Sequence, residues 1–218
     1  IGTDGLLPYT IFVEEQKLHR FGVGATFSTI EGLGVEGFWL HRNLFGQAER
    51  LRLDAKLAGI GYPVNTAEFD YAFGGTFTKP GIWTPDTDLI AAIAAERTVL
   101  TAYTETSASA RLGLNHLLSD EMTLEGAASY ELARFDDDFG TRLFSTAGVF
   151  GGFTFDNRDS ATDATEGFYA IVAAEPFYEF NYGNFGLRAT VEGRTYFGFA
   201  EDDMFVLAGR FKAGVLLR

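Results

Sequence analysis

Three imidazoles, His19, His41 and His116, are the first places to look for chemistry in this chain. They stand in separate segments with no ligand spacing, so the sequence offers no zinc site. Cysteine is absent, which removes thiolate ligands, thiol nucleophiles and disulfides together. No glycine-x-serine-x-glycine elbow occurs. The stretch Asp156-Asn-Arg-Asp-Ser-Ala-Thr-Asp-Ala-Thr-Glu-Gly167 has the outline of a calcium loop. Arg158 takes its third position, however, and Ala161 stands where that loop requires glycine, so the template fails. What remains is a turn whose aspartates cap backbone amides. Asp136-Asp137-Asp138 would attract a divalent cation, or calcium carried by lipopolysaccharide, only weakly, and reads first as a solvated loop tip. The expectation is no catalytic residue, no metal and no cofactor: not an enzyme.

The remaining charged residues fall into a pattern. The 218 residues carry a formal charge of −13, with 17 basic and 30 acidic side chains and no basic run, which argues against a nucleic-acid partner. Arg52, Asp54, Lys56, Arg188, Glu192, Arg194, Arg210 and Lys212 each alternate with apolar neighbours, as do Glu68, Asp70, Arg111, Glu125 and Glu131. Leu51-Arg-Leu-Asp-Ala-Lys-Leu57 puts leucine and alanine on one side and three charges on the other. A helix would scatter these charges round its circumference, whereas a strand sorts them onto one face. Mixed signs on that face predict cross-strand ion pairs in a hydrated interior rather than a selective pore.

The elements that must carry this pattern are eleven strands, at 20–29, 33–42, 47–59, 65–78, 87–98, 103–117, 121–135, 142–156, 165–178, 184–199 and 204–217. Turn clusters separate them, among them Glu31-Gly32, Asn43–Gly46, Lys79-Pro80-Gly81, Asp136–Asp138 and Glu201–Asp203. Alanine-rich Leu89–Glu96 also suits a helix on propensity, and is read as strand. The longest apolar run, Leu89–Ala95, is too short for a membrane-crossing helix, and Ile1-Gly2-Thr3-Asp4 does not begin a signal peptide. Most of the strands reach the roughly 9–11 residues needed to cross a bilayer, against about 5–6 for strands of globular proteins. Phe27, Trp39, Phe77, Trp83, Phe153, Phe155, Phe177, Tyr178, Phe197 and Phe199 near strand ends fit interfacial girdles. The fold class is therefore all-β, an antiparallel transmembrane β-barrel. A large soluble β-sandwich shares the alternation and is the competing architecture.

Two segments carry a resemblance. Trp39-Leu-His-Arg-Asn-Leu-Phe-Gly-Gln-Ala-Glu-Arg-Leu-Arg-Leu53, with its His41-Arg42-Asn43-Leu44-Phe45-Gly46 turn, resembles the second and third barrel strands of the BamA/TamA superfamily of outer-membrane assembly proteins (the bacterial surface antigen family), the TamA branch especially. Asp156, Arg158 and Asp159, followed by Gly167, look like that family's aspartate-x-arginine-aspartate stretch and downstream glycine; the proline usual between them is missing from Ala161–Thr165. Arg20-Phe-Gly-Val-Gly-Ala-Thr-Phe-Ser-Thr29 fits the first barrel strand, and Tyr9–Glu15 looks like the last strand of a periplasmic POTRA domain.

The resemblance implies residues 1–17 as the end of a POTRA-like domain and linker, and 18–218 as the N-terminal part of the barrel. Family barrels have sixteen strands and a valine-arginine-glycine-aromatic motif after the eleventh, which is lacking here, so the expectation is a fragment with about eleven strands of sixteen. It further implies a bacterial outer-membrane location, contact with lipid bilayer and lipopolysaccharide, and an inner-membrane partner of the TamA kind. Its clients would be unfolded outer-membrane or autotransporter proteins. The first strand, Arg20, Phe21, Gly22, Val23, Gly24, Ala25, Thr26, Phe27, Ser28 and Thr29, would be the edge that receives a client strand, with Gly22 and Gly24 permitting it to bend. The alternative is a passive transport or two-partner secretion pore of the same superfamily.

Overall fold

The computed structural model describes residues 12, 14–28, 32–61, 65–199 and 205–218. Period-two alternation is realised as strands throughout: β1 (His19–Ser28), β2 (Gly32–His41), β3 (Arg50–Ile60), β4 (Asp70–Lys79), β5 (Thr87–Val99), β6 (Tyr103–Ser119), β7 (Met122–Asp137), β8 (Gly140–Asp156), β9 (Gly167–Glu179), β10 (Asn184–Phe199) and β11 (Phe205–Leu217). They form one antiparallel sheet in chain order, each strand paired with its sequence neighbours. Alanine-rich Leu89–Glu96 is extended, because pairing with β4 on one side and β6 on the other overrides its helical propensity.

Boundaries moved where local hydrogen bonds compete with the ladder. The strand expected from 65 starts at Asp70, since Thr66–Glu68 forms a 3₁₀ turn capped by the Asn65 side chain. That expected from 47 starts at Arg50, because Gln47–Glu49 belong to the preceding turn. The strand expected to end at 135 runs on to Asp137, so Asp136 and Asp137 lie in β7 and not at a loop tip. Asp136 accepts from Arg134 and Thr141, and Asp137 pairs with Arg142. Thr29, Glu31, Glu201–Asp203 and positions 9–11 and 13 of the POTRA-like stretch lie outside the described residues.

Register divides the sheet into two faces. Pairs such as Phe21–Trp39, Val35–Leu57, Leu53–Gly75, Leu112–Ala128 and Val191–Ala213 set an apolar face. Glu36–Lys56, Arg111–Ser129, Glu192–Lys212 and Arg194–Arg210 set a polar one. Burial is inverted relative to a water-soluble protein. The apolar residues that are buried are small, Ala58, Ala127, Ala133 and Ala173, all on the polar face. The large ones, among them Phe21, Val23, Leu112, Val149, Phe197 and Phe211, are exposed. Among the described residues no second layer covers the apolar face, as a soluble sandwich requires. With strands of up to 17 residues, that face is built for lipid.

One aromatic was misplaced by the sequence reading. Phe177 does not belong to a girdle: it pairs with Gly148 and Gly186 and points to the polar face. Its neighbour Tyr178 faces outward. Adjacent residues of a strand cannot share a face, and the register assigned this one inward. Beside it, Pro176 coincides with a break in the β8–β9 ladder opposite Val149-Phe150, as expected of a residue without an N–H.

Candidate functional site: the β1 edge and the turns that support it

β1 is a ten-residue strand that pairs with β2 along its whole length, from His19–His41 to Ser28–Gly32. Among the described residues nothing pairs with its other edge. Phe21, Val23 and Phe27 project from the apolar face, 72%, 91% and 77% exposed. Alternation puts Gly22 and Gly24 on the polar face, where the side chains of their β2 partners lie over them. A Cβ at Gly22 would stand 2.1 Å from Cε1 of Phe38, and one at Gly24 would stand 3.2 Å from Oε1 of Glu36. The Phe38 ring is held from above by the Arg52 guanidinium, 4.1 Å from its centroid, with Arg20 at 5.8 Å.

The same unit recurs on interior strands. Phe177 lies against Gly186 under Arg188, and Phe150 against Gly152 under Arg111. Glycine supplies a floor for an aromatic ring and arginine its roof. At Gly22, therefore, close packing is a sufficient reason for glycine; what separates β1 from these interior strands is that, like β11, it has one partner strand among the described residues.

The His41–Gly46 turn closes on a residue that the sequence reading passed over. Glu49 is 2% exposed; it accepts from the Gln47 amide (2.9 Å) and pairs with Lys79 at the end of β4 (3.5 Å). Its carbonyl accepts from the Leu44 amide, and the Asn43 side chain accepts from the amide of Ala48, a non-glycine at φ 63°. Burial pushes the Glu49 carboxyl up, yet the Gln47 amide, other backbone donors and Lys79 together hold it below its ordinary value. Arg42 donates to Gln16 and Phe45 reaches Phe77 at 6.2 Å, so the turn grips both the approach to β1 and the foot of β4. An acidic residue directly before a strand, following Gln47-Ala48, was the available signal for Glu49.

The Asp156–Gly167 turn is built as the capping reading expected. Asp156 takes a two-pronged bond from Arg158 (2.7 and 2.8 Å), and Arg158 also donates to the Ala161 carbonyl and lies over Tyr169. The carboxylate holds the guanidinium above its ordinary value. Asp159 accepts from the Thr165 hydroxyl (2.8 Å) and from the Thr165 and Glu166 amides; the hydroxyl, then the Glu166 amide, hold its carboxyl below its ordinary value. Gly167 has φ 103°, and a Cβ there would lie 2.6 Å from the Asn157 carbonyl, so only glycine fits.

The charged residues of the polar face pair less uniformly than expected. Arg52 bonds Asp54 two residues along the same strand rather than across strands (2.6 Å). Arg111–Glu125 and Arg188–Glu175 are cross-strand pairs. Glu192 serves three cations, Arg194 at 2.7 Å, Arg210 at 3.0 Å and Lys212 at 3.5 Å. Lys56 has no ion-pair partner among the described residues. The signs are thus segregated: β10–β11 carry a basic excess, while Glu96, Glu105, Glu125 and Glu131 crowd β5–β7. Folding also joins two histidines that sequence kept apart. His19 and His41 are register partners on the apolar face, their rings 4.6 Å apart, and Trp39 donates to His19 (3.2 Å). His116 is remote from them and bonds Thr87. No group of three or more metal-ligating side chains occurs among the described residues.

The crystal structure of BamA from Haemophilus ducreyi lacking POTRA domains 1–3 has a similar fold: TM-score 0.76 at 12% identity, over 93% of this chain and 42% of that one. The chain thus spans less than half the length of that relative. No protein of curated function matches it in sequence. The family model for the Omp85 superfamily domain matches residues 43–218, from the middle of the β2–β3 turn through β11. That match takes in most of the first turn described above, all of the second and nine strands, β3–β11, and with it the chain belongs to the Omp85 superfamily and to the outer membrane.

Proposed function

We propose that this chain is the N-terminal part of the barrel of a TamA-like assembly and translocation factor, one that inserts outer-membrane or autotransporter clients by strand addition along Arg20–Thr29. The observation that supports the reading is the β1 edge: a strand of bilayer-crossing length whose outer row of backbone groups, from His19 to Phe27, meets no partner strand among the described residues, a property it shares with β11 at the other end of the sheet. In lipid such a row demands hydrogen-bond partners, and an incoming client strand supplies them while burying its own. No covalent step is required. The reading extends to a sixteen-stranded closed barrel, to residues 1–17 as the end of a POTRA-like domain, and to an inner-membrane partner. Because the chain enters from the periplasm in this scheme, turns after even-numbered strands, including His41–Gly46 and Asp156–Gly167, face the periplasm. Reactivity of a cysteine at Asn43 towards an impermeant label on intact cells would overturn that orientation.

Single cysteines report the seam directly, since residues 1–218 contain none that would compete. In the full-length protein, cysteines at Val23 or Ala25 should crosslink to a cysteine-bearing client during assembly. One at Val191, on a strand paired on both sides, should not. A second reading, the passive pore, is favoured by the segregated charges of the polar face. If β1 crosslinks never form while the protein conducts ions in planar bilayers, the pore reading takes precedence.

A further inference from the structure

The apolar face is not evenly ridged. Across β5–β8 it holds a groove of about 930 Å³ between Leu89, Leu112, Leu114 and Leu124, floored by Gly126 and Ala128. That volume is of the size that holds a small molecule. A second groove of about 520 Å³ continues it towards β3 and shares Leu112 and Ala128. The β4–β5 turn closes one end of the first, where Ile82 and Trp83 line it.

Trp83 is held there at a cost. It has φ 66°, and the Thr84 amide bonds the Ile82 carbonyl across it (2.8 Å), the γ-turn form that is rare and strained. The turn's own bonds hold that backbone, the Ile82 amide to the Thr87 carbonyl (2.8 Å) and the Thr87 amide to the Thr84 carbonyl (3.2 Å), and they leave the indole 81% exposed at the end of the groove, where an interfacial aromatic meets lipid. Between the tryptophan and the leucines runs a short polar row. Thr84 and Thr87 hydroxyls lie 2.6 Å apart, and Thr87 meets Nδ1 of His116 at 2.8 Å. From the sheet end inwards the order is an interfacial aromatic, then hydrogen-bonding groups, then an apolar trough opening on the lipid-facing surface. Headgroup boundary, ester region and acyl chain follow the same order in a lipid.

We propose that this groove is a binding site for one phospholipid, with an acyl chain between Leu112, Leu114 and Leu124, the ester region at His116, whose ring is held by the buried Thr87 hydroxyl, and Trp83 covering it at the interface. That the ligand is a phospholipid rather than lipopolysaccharide rests on the orientation proposed above, which puts the β4–β5 turn at the periplasmic leaflet.

The test uses the full-length protein. A photoreactive phenylalanine analogue at Leu112, irradiated in native outer membranes, should yield a phospholipid adduct well above that from the same analogue at Val191, an apolar-face site outside the groove. In native mass spectrometry with added phosphatidylethanolamine, Trp83→Ala and Gly126→Leu should each weaken the retained lipid by about tenfold, as uncovering roughly two methylenes would. Gly126→Leu projects into the trough from its floor, where a Cβ meets nothing within 4 Å. Equal adduct yields at Leu112 and Val191, or unchanged retention in either variant, would reduce the groove to ordinary annular lipid and overturn the proposal. Lipopolysaccharide adducts at Leu112 would overturn it too. Surface labelling at Asn43 tests the orientation by itself, so the two failures are distinguishable.

Discussion

β1 and β10 are made in the same way and placed differently. Each presents large apolar side chains to lipid, Phe21, Val23 and Phe27 on one, Phe185 and Phe197 on the other. Each also lays a glycine beneath a neighbouring strand's phenylalanine and roofs that ring with arginine: Gly22, Phe38 and Arg52 in one case, Gly186, Phe177 and Arg188 in the other. β10 is 16 residues long, bonded to β9 and β11, and locked on its polar face by the three cations on Glu192. β1 is ten residues long and bonded to β2. The glycine that invites a flexible-seam interpretation at β1 is thus ordinary packing at β10. What distinguishes a strand that can accept a partner is its open row of main-chain groups, not its composition.

The largest effect expected tests the shared half of this comparison. Val191→Arg, at mid-strand on the lipid face of β10, should destabilise the full-length barrel by about 2–4 kcal/mol in urea titrations in lipid, and Thr190→Arg on the polar face should be close to silent. Equal losses would break the assignment of faces. The next test separates packing from flexibility at β1. Gly22→Val must displace the Phe38 ring and should cost about 1–3 kcal/mol, as overpacking does. Adding Phe38→Ala should recover most of that loss, as a double-mutant cycle would show. If the single change stabilises the barrel, glycine is there for mobility after all. The smallest effect concerns the turn that feeds β9. Asp159 has a lowered pKa when folded, so its contribution is present above its unfolded value of about 4 and fades as pH falls through the lower folded value. Protection factors of the Thr165 and Glu166 amides, measured against their intrinsic exchange at each pH, should fall on acidification below about pH 4, while those of β1 do not follow.

Strand number, order and facing were legible in sequence, since period-two sorting of Leu51–Leu57 or Phe185–Phe199 admits one solution and meander connections leave little choice of neighbour. The capped turn at Asp156–Gly167 was legible too, because Asp159 and Gly167 act through backbone groups close in sequence. Register was not, and it decided the rest. It turned Phe177 inward and Tyr178 outward, brought His19 against His41, set Phe38 over Gly22, and gathered Arg210 and Lys212 round Glu192. Burial of Glu49 likewise came from elements 30 residues apart, since it needs Lys79 at the foot of β4. Local alternation fixes which face a side chain joins; whom it meets there depends on hydrogen-bonded alignment between strands, a property of the sheet that no single strand contains.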